Sequence, residues 1–372
     1  MRPDIVVIGA GTVGAAIAYG LALRGEHVLL LDGDDGDFRA ARANFGLVWL
    51  QGKGLGMPAY QGLTRRSIGM WRGFAEELEG RSDTGLCYEQ NGGLAFCLGA
   101  DAFEARQAVL RRLHNQWDGG EPDWEMVDRS GLERLLPKVT LGPDVTGASF
   151  GHRDGHANPL RLLAALHAAV IQLGGLVRSN ARVNGIDGAG ADFRLAIGDE
   201  VISAPRIVIA AGLGTQALAR QVGLDVPLRP ERGQILVTER LDPLLPLPGG
   251  GLRQTADGTV MIGATNEDVG YNLSTTGAAA AHLSRTAIRI IPALAGAGLV
   301  RQWAGLRVLT PDSYPIYTQS VSHPGAFVAV CHSGVTLAAF HAGVLATAIA
   351  AGALPDDLSP FHQSRFDVPQ AA

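Results

Sequence analysis

The sequence has few of the features that mark disulfide-rich, metal-cluster or nucleic-acid-binding proteins. Its 372 residues include three cysteines, Cys87, Cys97 and Cys331, and no two of them have the CxxC spacing of a metal or redox motif. A disulfide framework and an iron–sulfur cluster held by this chain are therefore excluded. Lysine and arginine together number 31 against 36 acidic residues, and the resulting net charge of −5 provides no basic face for nucleic acid.

Charged residues are missing from one long segment. Residues 313–355 contain no Asp, Glu, Lys or Arg, and the part from 326 to 354 is long enough to suggest a membrane span. The run His332 to Gly334 interrupts this part, so we interpret it as a buried strand, a turn and a buried helix from Val335 to Ala351. No membrane span is expected, and because no signal peptide precedes the first apolar run, the cytoplasm is the expected location.

Composition and patterning indicate a folded α/β protein. Hydrophobic residues make up 47% and charged residues 18% of the chain, which is typical of a chain with a sizeable core and excludes disorder. Strand and helix patterns alternate throughout, without an internal repeat or a low-complexity linker. We therefore predict a mixed α/β fold with interleaved domains.

A glycine-rich run near the start is the strongest motif. The apolar stretch Ile5 to Ile8 leads into Gly9-Ala10-Gly11-Thr12-Val13-Gly14, and a second apolar strand ends at Asp32. In such a unit the glycines permit a tight turn, close approach of a pyrophosphate and close helix packing, while the acid binds a ribose. The motif predicts a dinucleotide site and leaves NAD and FAD both open.

Capping and hairpin signals predict the remaining organisation. Asn158 and Pro159 mark the start of a helix that ends near Leu173, and residues 206–212 read as a buried parallel strand that runs into a glycine turn. Segments 234–238 and 259–263 alternate in polarity, with Asp257-Gly258 as a hairpin signal. These last two segments predict a separate antiparallel sheet.

Several stretches together resemble the D-amino-acid oxidase superfamily of FAD enzymes, and the match covers nearly the whole chain. Besides the glycine run with Asp32, they are Asp154 to Pro159, Val208 to Gly212, Trp303 to Arg307, Thr310 to Asp312 and His332 to Thr336. The resemblance implies a Rossmann-like FAD-binding domain interleaved with an antiparallel-sheet substrate domain. The expected FAD-binding parts are 1–75, 150–215 and 300–372, and the expected substrate-binding parts are 76–149 and 216–299.

A narrower resemblance implies the reaction. Residues 43–49, 52–60 and 332–337 are similar to the flavin subunits of opine oxidases, proline and hydroxyproline dehydrogenases and hydrogen cyanide synthase. This implies FAD, with a second flavin, FMN, possible at a subunit interface. It also implies a small amino-acid-like substrate, oxidation of a carbon–nitrogen bond next to a carboxylate, and partner subunits that carry iron–sulfur or flavin centres.

The resemblance also supplies candidate FAD-binding residues. They are Gly9, Gly11, Thr12, Val13, Gly14, Asp32, Gly33, Arg42, Ala43, Asn44, Phe45, Gly46, Leu47, Val183, Ala211, Gly212, Arg307, His332, Ser333, Gly334, Val335 and Thr336. One departure is Ala41, which stands where the narrower group commonly has a serine before Arg42. One hydroxyl contact to the FAD pyrophosphate is therefore expected to be absent.

Three residues are candidates for catalysis. Arg307 is expected to bind the substrate carboxylate, because a guanidinium gives it a planar, always-charged, bidentate partner. His332 is expected at the flavin ring and Tyr271 in the wall of the substrate pocket. Hydride transfer from Cα to flavin N5 then gives an imine that water hydrolyses, and this chemistry does not require a protein base.

Other interpretations stay open at this point. Lys53 places a cation near N5 or near a second flavin, or is simply exposed, and His332 and Tyr271 are equally well explained by packing. His152 and His156 flank Asp154, but their loop is not expected to bind a metal. A stand-alone oxidase that makes peroxide, an NAD-dependent dehydrogenase and a non-catalytic flavin scaffold are the alternative functions.

Overall fold

The computed structural model describes residues 2–33, 40–117, 120–188 and 190–367. Its strands are β1 (Ile5–Ile8), β2 (Val28–Leu31), β3 (Leu47–Val48), β4 (Gly93–Leu98), β5 (Trp124–Asp128), β6 (Val145–Gly151), β7 (Gly155–His156), β8 (Leu176–Arg178), β9 (Gly185–Asp187), β10 (Phe193–Ile197), β11 (Glu200–Ala204), β12 (Arg206–Ile209), β13 (Arg229–Arg240), β14 (Leu252–Gln254), β15 (Thr259–Gly263), β16 (Leu299–Leu309), β17 (Ile316–Gln319) and β18 (Ala326–Val330). The α-helices are α1 (Thr12–Ala22), α2 (Pro58–Ser82), α3 (Ala100–Asn115), α4 (Arg129–Leu135), α5 (Pro159–Gln172), α6 (Thr215–Ala219), α7 (Gly277–Ile290), α8 (Ala338–Phe340) and α9 (Ala346–Ala350). A π-helical turn, His341–Leu345, joins the last two helices, and short 3₁₀ turns follow α9.

A six-stranded sheet in the order β17-β18-β12-β1-β2-β8 forms the centre. All neighbouring pairs are parallel except β17 with β18. Side chains of β1 alternate between two cores: Ile5 and Val7 pack on the side of α1, α2 and α5, whereas Val6 and Ile8 pack towards β9–β11. Because both faces are covered, the central strands are apolar along their whole length, as the sequence predicted.

A second, antiparallel sheet has the order β14-β15-β13-β16. A third core lies between this sheet, α7, α4 and the three-stranded sheet β4-β6-β5, and it contains Leu94, Leu236, Ile262 and Leu283. The predicted hairpin turn at Asp257-Gly258 joins β14 to β15 rather than the two strands on which the prediction rested, since β13 comes earlier in the chain. The mixed α/β fold with interleaved parallel and antiparallel parts is confirmed.

All four predicted domain boundaries fall inside single elements. Residue 75 lies within α2, residue 150 within β6, residue 215 within α6, and residue 300 within β16, which pairs with β13 from Leu299 to Leu309. Hydrogen bonding therefore assigns β16 to the antiparallel sheet. Arg307 therefore lies on the antiparallel sheet, although its position after residue 300 had assigned it to the expected FAD-binding part.

A short turn connects the two large sheets. Between β16 and β17, the hydroxyl of Thr310 donates to the carbonyl oxygen of Tyr314 at 2.7 Å, and the Tyr314 amide donates to Asp312 Oδ1 at 3.0 Å. The guanidinium of Arg365 donates from Nε to Asp312 Oδ2 at 2.7 Å. These bonds fix the path along which the chain passes from the antiparallel sheet into the six-stranded sheet.

Two element boundaries differ from the sequence prediction. The strand predicted for residues 182–186 is instead β9, Gly185–Asp187. It starts later because the amide of Ala181 donates a hydrogen bond to the carbonyl of Asp32 and residues 182–184 line a cavity. The helix predicted from Val335 begins at Ala338, since residues 334–337 form a turn in which the Leu337 amide donates to the Ser333 carbonyl. Among the described residues, no helix is both long enough and apolar enough to cross a membrane.

Candidate active site

The predicted phosphate-binding turn lies between β1 and α1. Gly9 has a φ of +106°, and a Cβ at Gly14 would collide with the carbonyl oxygen of Gly9, so the close approach of helix and strand requires glycine there. A Cβ at Gly11 would meet nothing within 4 Å, because this residue faces open space. The hydroxyl of Thr12 is buried and has no hydrogen-bond partner among the described residues. A buried hydroxyl beside an open glycine is the arrangement that a phosphate oxygen would satisfy.

A first cavity of about 560 Å³ opens beyond the carboxyl ends of β1, β2, β12 and β18. Ligands of open α/β sheets bind at this edge. The predicted residues that line it are Gly9, Gly11, Thr12, Val13, Asp32, Gly33, Asn44, Val183, Ala211, Gly212, Tyr271, His332, Gly334 and Val335. Asp32 is 7% exposed, and its backbone bonds both to Arg178 and to Ala181 hold the end of β2 in place.

A second cavity of about 380 Å³ lies between the six-stranded and the antiparallel sheets. It shares Ala40, Asn44, His332 and Val335 with the first cavity, so the two cavities are adjacent. The predicted residues that line it are Ala43, Asn44, Phe45, Leu47, Lys53, Arg307, His332, Ser333, Val335 and Thr336.

Arg307 reaches the second cavity from β16. It pairs directly with Glu231 of β13 in the sheet register, and its NH1 group lies 3.0 Å from Glu231 Oε1. A Cβ at Gly233 would come within 2.7 Å of the guanidinium, so the glycine lets Arg307 lie flat over β13. Burial lowers the pKa of Arg307, and Glu231 opposes that shift. No described residue engages the donors on its other two nitrogens, and these are available to a carboxylate.

Lys53 enters the same cavity from the turn after β3. Its Nζ donates to Ser333 Oγ at 2.8 Å, and the hydroxyl of Tyr60 donates to the same oxygen at 3.0 Å. Burial lowers the pKa of Lys53, and Arg307 lowers it further, whereas Cys331 and Asp154 raise it. The ammonium thus lies in a poorly hydrated space whose other cation is Arg307.

His332 lines both cavities at the junction between them. Although the residue is exposed to the cavities, its pKa is lowered to about 3, first by desolvation from the surrounding protein and then by the positive charges of Lys53 and Arg307. The imidazole is therefore neutral at physiological pH. It can donate or accept a hydrogen bond at the junction of the two cavities, but it carries no charge for binding a carboxylate.

The turn after β18 is tied to the strand that precedes Lys53. The hydroxyl of Thr336 donates to the carbonyl of Leu47 and accepts from the amide of Trp49, each at 3.2 Å. Its carbonyl accepts from Ser67 Oγ at 2.8 Å and from Trp71 Nε1 at 3.0 Å. These bonds hold the two walls of the second cavity at a fixed separation.

Asp154 stands behind the turn that carries Lys53. It is fully buried, and its Oδ1 accepts from the amides of Leu50 and Gln51, whereas Oδ2 has no partner among the described residues. Burial raises the pKa of this carboxyl to about 7, against the effect of its hydrogen bonds. In the sequence Asp154 stands out only as part of a motif, and its position behind the turn that carries Lys53 depends on the fold.

Some predicted residues line neither cavity, and one lines a different cavity from the one expected. Tyr271 lines the first cavity, not the second, and is 58% exposed. Arg42 is exposed and lines neither cavity. Gly46 lines neither, because the carbonyl of Ala157 occupies the space that a Cβ at Gly46 would need. Gly14 also lines neither cavity, because it packs against the backbone of Gly9.

Three further residues belong to this site although no pattern in the sequence selects them. Gly233 and Asn266 line the second cavity, and Glu231 forms the ion pair with Arg307. Glu231 and Gly233 could have been found only from the register of β13 with β16, which a single sequence does not reveal.

His156 is buried beside Arg253, and burial lowers its pKa to about 4, while His152 is exposed. Among the described residues, no group of three His, Cys, Asp or Glu side chains could hold a metal ion.

Comparison with known proteins adds to this geometry. A family model described as "DAO: FAD dependent oxidoreductase" matches residues 4–348. A subunit of the opine oxidase of Rhizobium meliloti is 43% identical over 369 residues, which cover 99% of both chains. Hydrogen cyanide synthase subunit HcnC of Pseudomonas aeruginosa is 28% identical over 368 residues, with 84% of each chain covered. The crystal structure of glycine oxidase from Geobacillus kaustophilus has the same fold, with a TM-score of 0.89, 23% identity and coverage of 98% of this chain and 99% of that chain.

Proposed function

The chain belongs to the DAO family of FAD-dependent oxidoreductases, and from that premise we propose that it oxidises the carbon–nitrogen bond of a secondary-amine acid such as an opine or proline. We propose further that it does so as the catalytic subunit of a dehydrogenase complex. FAD is the cofactor, which sets aside the nicotinamide alternative. The single observation that carries the proposal is the position of Arg307, a largely buried guanidinium with free donors in the cavity next to the ring site.

The described residues fit FAD. The first cavity, with Asp32, the open Gly11 and the unpartnered hydroxyl of Thr12, would hold the adenine, ribose and pyrophosphate. The walls of the second cavity near Asn44 and Val335 would hold the ring. The chemistry that FAD supplies is acceptance of a hydride at N5 from the substrate Cα–H, while the nitrogen lone pair forms the carbon–nitrogen double bond.

Arg307 would bind the substrate carboxylate through the donors that Glu231 leaves open, and this contact fixes the direction of the Cα–H bond. His332, being neutral, would contribute a hydrogen bond beside the ring without attracting the carboxylate away from Arg307. Water then adds to the imine carbon and releases an oxo acid and a primary amine. The protein supplies orientation and electrostatics, and no residue needs to remove the Cα proton.

The proposal of a complex rests on the full-length similarity to a protein that is named as one subunit of an opine oxidase. The three cysteines of this chain, two of them buried, have no cluster-forming spacing, so any iron–sulfur centre that receives electrons must belong to a partner. A cytoplasmic location, at the periphery of the inner membrane where a quinone is the final acceptor, is part of the same proposal.

The test uses the purified holoenzyme with a redox dye and a panel of secondary-amine acids. We expect a yellow protein that reduces the dye, and Arg307→Ala should lower kcat/KM on the order of 100-fold, because a charge-assisted contact to the carboxylate is lost. Arg301→Ala, on the same strand but exposed, is the matched control. Unchanged turnover in Arg307→Ala would refute the assignment, and peroxide formation that equals substrate loss would identify a stand-alone oxidase instead.

A further inference from the structure

We propose that Lys53 binds a second carboxylate of the substrate, so that the preferred substrates are secondary amines with a carboxylate on each side of the nitrogen. This inference rests on the proposed function, since it concerns the same cavity. Arg307 would bind the carboxylate next to the carbon that is oxidised, and Lys53 the carboxylate on the other nitrogen substituent.

The hydrogen bond of Lys53 to Ser333 uses only one of its three donors. Its Nζ lies 2.8 Å from Ser333 Oγ. That oxygen also accepts from Tyr60, so both of its lone pairs are occupied and it cannot take a second bond from Lys53. Among the described residues, no carboxylate forms an ion pair with Lys53. Two donors thus remain for a ligand in the cavity.

A further argument is the balance of charge in the cavity. Arg307 has Glu231 as a partner at 3.0 Å, whereas the acid that acts on Lys53, Asp154, is turned towards the amides of Leu50 and Gln51. A partly buried cation without a counterion is costly, and a bound anion relieves that cost. Glu231 already offsets the charge of Arg307, whereas the second carboxylate of a substrate would supply the counterion that Lys53 lacks.

Lys53 is also one of only two lysines in the chain. The other is Lys138, among 31 lysines and arginines in total. Lys138 is exposed, so Lys53 is the one compact ammonium that the described residues place in the cavity. A point charge with freely rotating donors suits a carboxylate on a flexible arm, whereas the planar Arg307 suits the carboxylate whose orientation matters for the reaction.

The test compares two ligands that differ by one carboxylate and cannot be oxidised at nitrogen. Thiodiacetate and (ethylthio)acetate are titrated into the holoenzyme, and binding is followed by the change in flavin absorption. We expect wild-type protein to bind thiodiacetate about 10- to 100-fold more tightly, the factor expected for a hydrogen bond to a charged group. Equal affinity for the two ligands would overturn the proposal without any variant being made.

Variants then assign the effect to Lys53. Lys53→Met should remove most of the preference for thiodiacetate, Lys53→Arg should retain it, and Lys138→Met, the matched control, should leave it unaltered. In turnover, Lys53→Met should raise KM more for N-(1-carboxyethyl)alanine than for N-ethylalanine, again by about 10- to 100-fold. An equal loss with both substrates would show a role unrelated to the second carboxylate. If wild-type protein oxidises neither amine, the proposed function fails, whereas the titrations still decide the role of Lys53.

Discussion

Arg307 and Glu231 are directly opposed across β16 and β13, and their side chains form an ion pair at 3.0 Å inside the second cavity's wall. Each side chain is 20% exposed, so solvent screens the pair only in part. The carboxylate both orients the guanidinium and competes with any acid that approaches it. This dual effect makes Glu231 a sensitive point for altering affinity.

We predict that Glu231→Gln strengthens the binding of carboxylate ligands about five-fold. The amide oxygen of Gln keeps an acceptor for Arg307 NH1, while the repulsion between Glu231 and the ligand, on the order of 1 kcal/mol, disappears. The dissociation constant of a carboxylate inhibitor, measured from the flavin spectrum, checks this. Glu125→Gln, exposed on β5, is the control, and weaker binding in Glu231→Gln would mean that its negative charge is needed for orientation.

Two glycines of the phosphate turn should behave differently when changed to alanine. Gly11→Ala places a methyl group in open cavity space, so FAD affinity should fall at least about 10-fold while the apoprotein keeps its melting temperature. Gly14→Ala collides with the Gly9 backbone, so both FAD content and melting temperature should fall. Gly80→Ala, at an exposed and open position of α2, should slightly raise the melting temperature. A fall in apoprotein stability in Gly11→Ala would contradict this account.

Asp154 should make stability fall as pH rises. Its pKa is raised from 3.8 to about 7 in the folded protein, so the folded state binds more protons than the unfolded state between these values. The contribution of Asp154 to the free energy of unfolding is therefore largest below pH 4 and should decrease by about 2 to 4 kcal/mol up to pH 8. Asp154→Asn, which keeps the acceptor for the Leu50 amide, should lack this decrease. Denaturant unfolding of both proteins at pH 5 and pH 8 measures the difference, and parallel curves would refute it.

His332 should not contribute to the pH dependence of activity above pH 5. Its pKa of about 3 leaves the imidazole neutral throughout that range. The profile of kcat/KM for His332→Gln between pH 5 and 9 should therefore have the same shape as that of the wild type, even if its height changes. Loss of an ionisation in the variant profile would show that the substrate-bound site charges this histidine.

The parts of the fold that depend on local patterns were predictable from the sequence. The β1–α1 unit and the Asn158 cap with Pro159 after it both appear as expected, because each depends on residues within a few positions of one another. The family and the FAD cofactor are likewise confirmed. The start of the last helix was misplaced by three residues, since the hydrogen bonds of the Ser333–Leu337 turn compete with the helix.

Features that depend on distant pairing were not predictable. Glu231 meets Arg307 because β13 and β16 pair in one register out of several possible ones, and 76 positions of sequence separate the two residues. Tyr271 was expected in the substrate-pocket wall, whereas the chain path leaves it exposed at the first cavity. The lack of a hydrogen-bond partner for Asp154 Oδ2 among the described residues can be recognised only when the residues packed around it are known.

The turn between β16 and β17 has a consequence for how such an enzyme can diverge. Arg307 lies three residues before Thr310 on one sheet, and β17 hydrogen-bonds to β18, whose end carries His332. The spacing between Arg307 and His332 is therefore set by the six residues between Leu309 and Ile316, which Asp312 and Arg365 hold in place. Loops elsewhere on the antiparallel sheet can lengthen without changing that spacing, while insertions between Leu309 and Ile316 would move Arg307 away from His332.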